Sequence, residues 1–307
     1  MTEDKKNTRS KKYEPVKEKE VEEIEEEEYT SHPLLIKTII TILVLFTLVL
    51  IYSFLICPKI FQTKEYKVES NLLPTTFHGL KIIQLSDIHY GTTVNKEQLN
   101  RIVKNINTLK PDIIVFTGDL IDKNISPNED IKNEIIEALK PLKASLYKYA
   151  VYGNEDKQEN YEEIMNSIDF ITLKNEARLL FYKGNEPIEI IGFNPMETNP
   201  DYSIINNPIE EIDTTNLYKI VIMHEPNALD NILPSNPNLV LSGSTLGGTI
   251  NIVKPLILND YNNKYYKDHY KINNTELFVS NGLGTTNINL RFNNNPSINF
   301  YRLYHVE

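Results

Sequence analysis

The chain has 307 residues, with 32 Lys+Arg against 42 Asp+Glu and a net charge of −10. With 40% hydrophobic and 24% charged residues it has the balance of a globular protein of one large or two small domains, not of a disordered or collagen-like chain. A single cysteine, Cys57, excludes a disulfide framework and a Cys-rich zinc site, and the acidic balance argues against a nucleic-acid backbone as the main partner.

Residues 1–33 form a charged tail, in which positions 1–30 hold seven Lys/Arg and eleven Asp/Glu. Such a segment cannot bury enough apolar area to offset its ordering entropy, so disorder is expected. The segment 34–57 contains an uncharged run of 20 residues, 38–57. As a helix it spans about 30 Å, the hydrocarbon thickness of a bilayer. A core helix is rarely apolar on every face, so a membrane span is the expectation, with Pro58 to stop it. No small-residue cleavage site follows, and bulky Ile56 precedes Cys57, so the run reads as a retained signal anchor. Eight Lys/Arg lie before it, against Lys59, Lys64 and Lys67 in residues 58–77. That total favours a single-pass cell-membrane protein with its tail inside and its main domain outside. Residues 58–74 read as a linker and 75–307 as the main domain.

From residue 65 short apolar, β-branched runs alternate with helical stretches. Strands are expected at 81–86, 112–118 and 149–154, and helices at 96–109, 128–139 and 161–168. In the first helix Leu99, Ile102, Ile106 and Leu109 share a face. Further strands are expected at 187–193, 218–223, 238–241, 276–280 and 298–303. The pattern predicts a layered α/β domain with a substantial sheet core.

Five of these strands end in polar residues: Ser86-Asp87-Ile88-His89-Tyr90-Gly91, Gly118-Asp119-Leu120-Ile121-Asp122, Gly153-Asn154-Glu155-Asp156, His224-Glu225-Pro226 and Ser242-Gly243-Ser244-Thr245-Leu246-Gly247-Gly248. Such residues gather at one edge of a layered sheet, where ligand sites form. Carboxylate, imidazole and amide oxygen suit divalent Mn, Fe or Zn. In an extended chain, Asp87 and His89 would point to the same side. Each ending alone is ordinary loop chemistry; the ordered set of five is a strong joint signal.

The set resembles the calcineurin-like metallophosphoesterase family, especially its membrane-anchored bacterial branch. That family reads D-x-H, G-D-x-x-D, G-N-H-[DE], a lone His after a strand, and G-H-x-H. Here the segments are SDIHYG, TGDLID, YGNED, MHEP and SGSTLGG, and FVSNGLGTT and LRFNNNPSI also resemble the branch. The resemblance covers about residues 65–305. It implies a four-layer α/β/β/α sandwich preceded by one transmembrane helix. It also implies two metals that share a bridging Asp and clamp a phosphate. By position, the first metal would take Asp87, His89 and Asp119, and the second Asp119, Asn154 and His224. Asp122 and Asp156 would stand behind the ligands and orient them.

Three family histidines are replaced. Glu155 stands where the family places the His that steadies the phosphate or protonates the leaving group; Ser244 and Leu246 stand where it places one His per metal. Thr249 replaces a Gln. Leu246 has no lone pair, and the Ser244 hydroxyl is a poor substitute for imidazole. An ionised Glu155 repels phosphate and has no proton to donate. The expectation is therefore a phosphoester or pyrophosphate hydrolase lineage with weak or absent turnover. The alternative is an active phosphohydrolase in which Glu155 itself ligates and favours Mg or Mn, acting, by resemblance, on lipid-linked or nucleotide-sugar pyrophosphates. One or two ions of Mn, Fe, Zn or Mg are implied, with a phosphorylated small molecule or lipid headgroup and the membrane as partners, and no nucleic acid. His269 is a candidate rescue ligand; His78 and His305 read as surface or packing residues. Tyr261, Tyr265, Tyr266 and Tyr270 read as a half-buried loop or strand, and Arg291 as a solvated side chain.

Overall fold

The structure, a computed structural model, describes residues 32–156, 158–194, 216–251, 255–256 and 264–307. The charged tail up to residue 31, and Tyr261, lie outside the described residues. Helix α1, Pro33–Ile51, is exposed on every face. One turn of π-helix, Tyr52–Ile56, and a 3-10 turn, Cys57–Lys59, follow it. Pro33–Lys59 is long and apolar enough to cross a membrane. One compact unit ends at Leu45, and a second runs Phe46–Glu307.

The second unit is built on two six-stranded sheets. The first holds β1 (Gln62–Ser70), β2 (Lys81–Leu85), β3 (Ile113–Phe116), β4 (Tyr147–Ala150), β5 (Ile171–Thr172) and β14 (Ser297–His305), in the order β1-β14-β2-β3-β4-β5. The second holds β6 (Glu176–Leu180), β7 (Ile188–Gly192), β8 (Lys219–Ile222), β9 (Leu239–Ser242), β12 (His269–Ile272) and β13 (Thr275–Val279), in the order β12-β13-β9-β8-β7-β6. Strands β2 to β5 run parallel, as do β7, β8, β9 and β13. A short pair, β10 (Ile250–Asn251) and β11 (Pro255–Leu256), stands apart.

Three apolar layers explain the order. Ile83, Leu85, Ile114 and Phe116 on the outer face of the first sheet meet α2 (Lys96–Leu109), α3 (Glu129–Leu139) and α4 (Gln158–Ser167). Ile82, Ile113 and Val115 face Ile190, Ile220, Leu241 and Phe278 between the sheets. Val221, Val240 and Leu277 on the far side of the second sheet meet the one-turn helix α5 (Leu229–Ile232). This is the expected α/β/β/α sandwich. Helix α2 begins where Asn95 accepts a hydrogen bond from the Gln98 amide, and α3 where Asn128 accepts from Ile131; each cap contributes about 1 kcal/mol. The face of α2 is Leu99, Ile102, Val103 and Ile106, all buried. Each such side chain contributes about 1.5–3 kcal/mol.

The segment 58–74, expected as a linker, instead carries β1, paired parallel with β14 from Gln62 to Ser70. Only Val68 of its nine residues is buried. Its charges suit a sheet edge and hide the strand from an apolar-run search. The chain entering β1 is seated on the loop between β13 and β14. Arg291 N donates to Ser53 O at 3.0 Å, Cys57 Sγ to Asn295 Oδ1 at 3.4 Å, and Tyr52 meets Phe292 edge-on.

Candidate metal centre

The C-terminal ends of β2, β3 and β4 and those of β8 and β9 reach the same edge of the sandwich, where the two sheets are tied together. Gln84 Nε2 of β2 donates to Ser242 O of β9 at 2.9 Å, and His224 Nδ1 meets Thr117 O at 2.6 Å. Leu283 N, after β13, donates to Ser86 O at 3.0 Å. All five strand endings picked out from the sequence converge here.

The backbone turns sharply at the donors. Asp87, His89 and Asp119 have φ of 49°, 43° and 59°. The Asp–x–His segment is therefore not extended as expected. Left-handed geometry at a non-glycine residue costs roughly 1–3 kcal/mol, and hydrogen bonds hold it: Asp87 N donates to Gly118 O at 2.9 Å and His89 N to Asp119 O at 3.1 Å. Gly118, at φ 91°, abuts the next loop so closely that a Cβ would lie 2.3 Å from Gly153 N. That approach lets Glu155 N donate to Asp119 Oδ1 at 2.8 Å.

Two donor groups result. Asp87, Asp119 and His224 offer atoms all within 4.8 Å of one another, and so do His89, Asp119 and Glu155. Asp119 is common to both, the position expected of a bridge. His89 Nε2 also lies 3.9 Å from Asp87 Oδ1 and 3.8 Å from Asp119 Oδ2. Its Nδ1 faces Glu155 Oε2 at 3.2 Å. Asn154 stands on the adjacent loop, its Nδ2 donating to Glu225 Oε1 at 2.9 Å. Asp156 accepts from the amides of Asp119, Leu120 and Gly153 at 2.7–2.8 Å. Asp122 Oδ1 accepts from Asn124 N, while its buried Oδ2 has no hydrogen-bond partner and lies 4.0 Å from His89 Nδ1.

Charge is concentrated among these buried side chains. Burial pushes the Asp87 carboxyl up, against the pull of His224. Burial acts on Asp119 in the same sense, but His224 and His89 hold it below the usual carboxylate range. Burial lowers both imidazoles, yet the carboxylates outweigh it. His89 rises to about 9, through Glu155, Asp119 and Asp87, and His224 to about 10, chiefly through Asp119. Burial also raises Glu155, but the His89 hydrogen bond brings it net below its ordinary value. Burial and Asp119 push Asp156 up to about 7 despite its three amide donors.

A divalent cation fits this donor set on one further observation. His224 Nε2 is buried, lies 3.2 Å from Asp119 Oδ2, and has no well-aligned hydrogen-bond partner among the described residues. With Nδ1 engaged by Thr117 O, the free nitrogen points among carboxylates, the arrangement of a metal-binding imidazole. The replaced positions differ in kind. Ser244 N donates to both Asp87 oxygens at 3.2 Å, so its backbone serves the site. Leu246 is buried, with a methyl 2.5 Å from where a Gly282 Cβ would stand and Asp87 Cβ close by at 2.9 Å. Leu246 thus packs against Gly282, whose other neighbour is Asp87.

Several further groups serve the site. Ser86 donates its hydroxyl to Asp87, Lys123 N and Thr286 Oγ1 donate to Glu155, and Thr117 offers a carbonyl. Arg291 is a correction: it is fully buried rather than solvated, and donates to the carbonyls of Asn281, Gly284 and Asn294. His269 stacks on Phe278 and meets Glu276 at 3.4 Å, not the site carboxylates. His305 contacts Leu73 O, and His78 packs on Tyr304.

The sequence profile of the calcineurin-like phosphoesterases matches residues 80–288. The chain is 33% identical over 254 residues to the uncharacterized metallophosphoesterase YkuE of Bacillus subtilis (strain 168), covering 80% of this chain and 86% of that protein. It is 31% identical over 248 residues to the transmembrane protein with metallophosphoesterase domain of Danio rerio, covering 76% of this chain and 54% of the relative, about half its length. It is 30% identical over 237 residues to the uncharacterized metallophosphoesterase YkoQ of the same Bacillus strain, covering 73% and 83%. Since the profile match takes in every loop bearing Asp87, His89, Asp119 and His224, the chain belongs to the calcineurin-like phosphoesterase family.

Proposed function

We propose that the chain is a membrane-anchored metallophosphoesterase homologue that binds divalent metal through Asp87, His89, Asp119, Asn154 and His224 but hydrolyses phosphoesters or pyrophosphates weakly or not at all. The observation that carries this reading is Leu246 packed against Gly282 beside Asp87, where the family resemblance asks for an imidazole. Helix α1 and the relative in Danio rerio named as a transmembrane protein support the anchor. The excess of Lys/Arg before α1 supports a main domain outside the cell membrane. The ligand class is a phosphorylated small molecule or lipid headgroup.

When bound, Mn, Fe, Zn or Mg would neutralise phosphoryl oxygens and lower the pKa of a water. The chain's own residues restrict that chemistry. Asp119, held ionised by two imidazoles, is placed to bridge. Glu155, also held below its ordinary range, has no proton for a leaving group at neutral pH. A missing general acid costs about 10²–10⁴ in rate. A second reading, turnover at an oxygen-rich site, draws on the His89, Asp119 and Glu155 group. It makes Glu155 a direct ligand and lipid-linked or nucleotide-sugar pyrophosphates the candidate substrates.

The test uses the full chain in detergent, with metal content and hydrolysis of a phosphodiester reporter measured under Mn, Zn and Mg. The expected result is metal that Asp119→Asn abolishes, with hydrolysis raised at least about 100-fold by the joint changes Glu155→His, Ser244→His and Leu246→His. Asp119-dependent hydrolysis by the parent chain, already equal to that of the restored variant, would overturn the impaired reading in favour of the second.

A further inference from the structure

We infer that Glu155 is a positioning residue: its carboxylate accepts a hydrogen bond from the Nδ1–H of His89 and so presents His89 Nε2 to a cation shared with Asp87 and Asp119. This rests on the proposed metal binding and assigns a role to the residue that stands in place of the family histidine.

The geometry of the ring carries the inference. His89 is 2% exposed, so it has two orientations of consequence, one for each nitrogen. Its Nε2 side looks onto Asp87 Oδ1 and Asp119 Oδ2, at 3.9 and 3.8 Å. Its Nδ1 side looks onto Glu155 Oε2 at 3.2 Å. An imidazole that binds a cation with one nitrogen donates its other N–H to an acceptor, commonly a carboxylate, which fixes tautomer and ring angle. Glu155 is the acceptor in reach; Asp122 Oδ2, at 4.0 Å, lies beyond hydrogen-bond distance.

The carboxylate is itself held from two further loops. Its Oε2 accepts from Lys123 N at 3.1 Å, after β3. Its Oε1 accepts from Thr286 Oγ1 at 3.4 Å, after β13, and lies 3.6 Å from Lys123 Nζ. Its own amide donates to Asp119 at 2.8 Å. A residue bound on so many sides is poorly free to swing toward a substrate or to ligate directly. It is well placed to set the angle of its neighbour. An asymmetry with His224 fits this role: there the matching acceptor is a backbone carbonyl, Thr117 O, while His89 relies on a side chain.

The test compares the full chain with Glu155→Ala and Glu155→Gln, using Mn²⁺ titration for affinity. Gln keeps an acceptor oxygen for Nδ1–H; Ala does not. The expected result is an Mn²⁺ affinity about 10- to 100-fold weaker in the Ala variant, with the Gln variant within about threefold of the parent. ¹⁵N-histidine spectra with diamagnetic Mg²⁺ or Zn²⁺ supply a second readout among only six histidines. In the parent and the Gln variant, His89 should show a protonated Nδ1 and a cation-bound Nε2, a signature lost in the Ala variant. Unchanged affinity in the Ala variant would overturn the inference while leaving metal binding intact. A Gln variant as weak as Ala would overturn it in favour of direct ligation by Glu155. A parent chain that binds no metal would overturn this inference and the metal-binding reading together.

Discussion

Removing the Asp156 carboxylate should loosen the metal centre from behind. The side chain is 4% exposed and accepts three backbone hydrogen bonds: Oδ2 from Asp119 N and Gly153 N, and Oδ1 from Leu120 N. Asp156→Ala leaves three amides in the interior without that acceptor. Hydrogen bonds to a charged group contribute about 1.5–3 kcal/mol each, and neutral ones about 1. Burial and Asp119 push this carboxyl up to about 7, so at neutral pH its charge is only partly present and the lower figure applies. Three bonds then amount to about 3–4 kcal/mol, a large share of the roughly 5–15 kcal/mol that holds a typical domain. For a domain of this size the melting temperature should fall by about 6–14 °C. Asp156→Asn can keep its one oxygen at the Oδ2 position, serving Asp119 and Gly153, and sets an amide group against Leu120 N–H. It should cost about half as much. Chemical denaturation of the full chain in detergent, with added chelator to remove metal linkage, measures both. An Ala variant within about 1 kcal/mol of the parent, or an Asn variant as damaging as Ala, would refute this reasoning.

Two further outcomes are expected from groups away from the donors. Arg291→Met orphans the carbonyls of Asn281, Gly284 and Asn294 and should lower stability by about 2–4 kcal/mol, read by urea denaturation; a neutral change would mean that these carbonyls find water. Glu189 of β7 is buried opposite Lys219, with neither oxygen hydrogen-bonded, and burial pushes it up to about 7. Because the folded value lies above the unfolded one, near 4.3, its contribution to stability is complete below pH about 4 and is lost as pH rises through about 7. Glu189→Gln should therefore melt close to the parent at pH 5 and be more stable by about 2 kcal/mol at pH 8, and parallel pH curves would count against this account.

Much of the fold is legible where a single physical signal acts alone. Helix α2 is readable over 96–109 because Leu99, Ile102 and Ile106 keep helical spacing. The buried strands β2, β3, β7, β8 and β9 are readable as apolar runs bounded by polar residues. Strand β1 is not, since its partner β14 lies more than two hundred residues away and its own side chains are mostly polar. The site shows the same division. Its donors are legible as side-chain types after strands. Thr117 acts through its carbonyl, and Thr286 through the approach of a loop far along the chain, so neither leaves a local trace. The expected same-side pairing of Asp87 and His89 assumed extended backbone, whereas tertiary hydrogen bonds hold both in the left-handed region.

The pattern of what is retained and what is replaced reflects which side chains the backbone depends on. Asp87 accepts from Ser86 and from Ser244 N, Asp119 accepts from Glu155 N, and His224 donates to Thr117 O across the two sheets. Each of these would cost stability if lost, whether or not a metal is ever bound. At position 244 the contribution to the site comes from the backbone N–H, which serine supplies as well as histidine would. At 246, where the family resemblance expects an imidazole, a leucine packs against Gly282. On the proposed reading, substitution at those two places removes binding chemistry and leaves the scaffold intact. The presence of Asp87, Asp119 and His224 therefore serves the scaffold as well and does not by itself imply turnover. Glu155 is different in kind, because its half-buried carboxylate faces the Asp119 charge, a repulsion that the fold has no need of. Its offset is the His89 ring at 3.2 Å, and that ring gains most when a cation holds its other face. A Glu155 whose removal weakens Mn²⁺ binding would thus show a centre whose ring geometry is still set to hold metal.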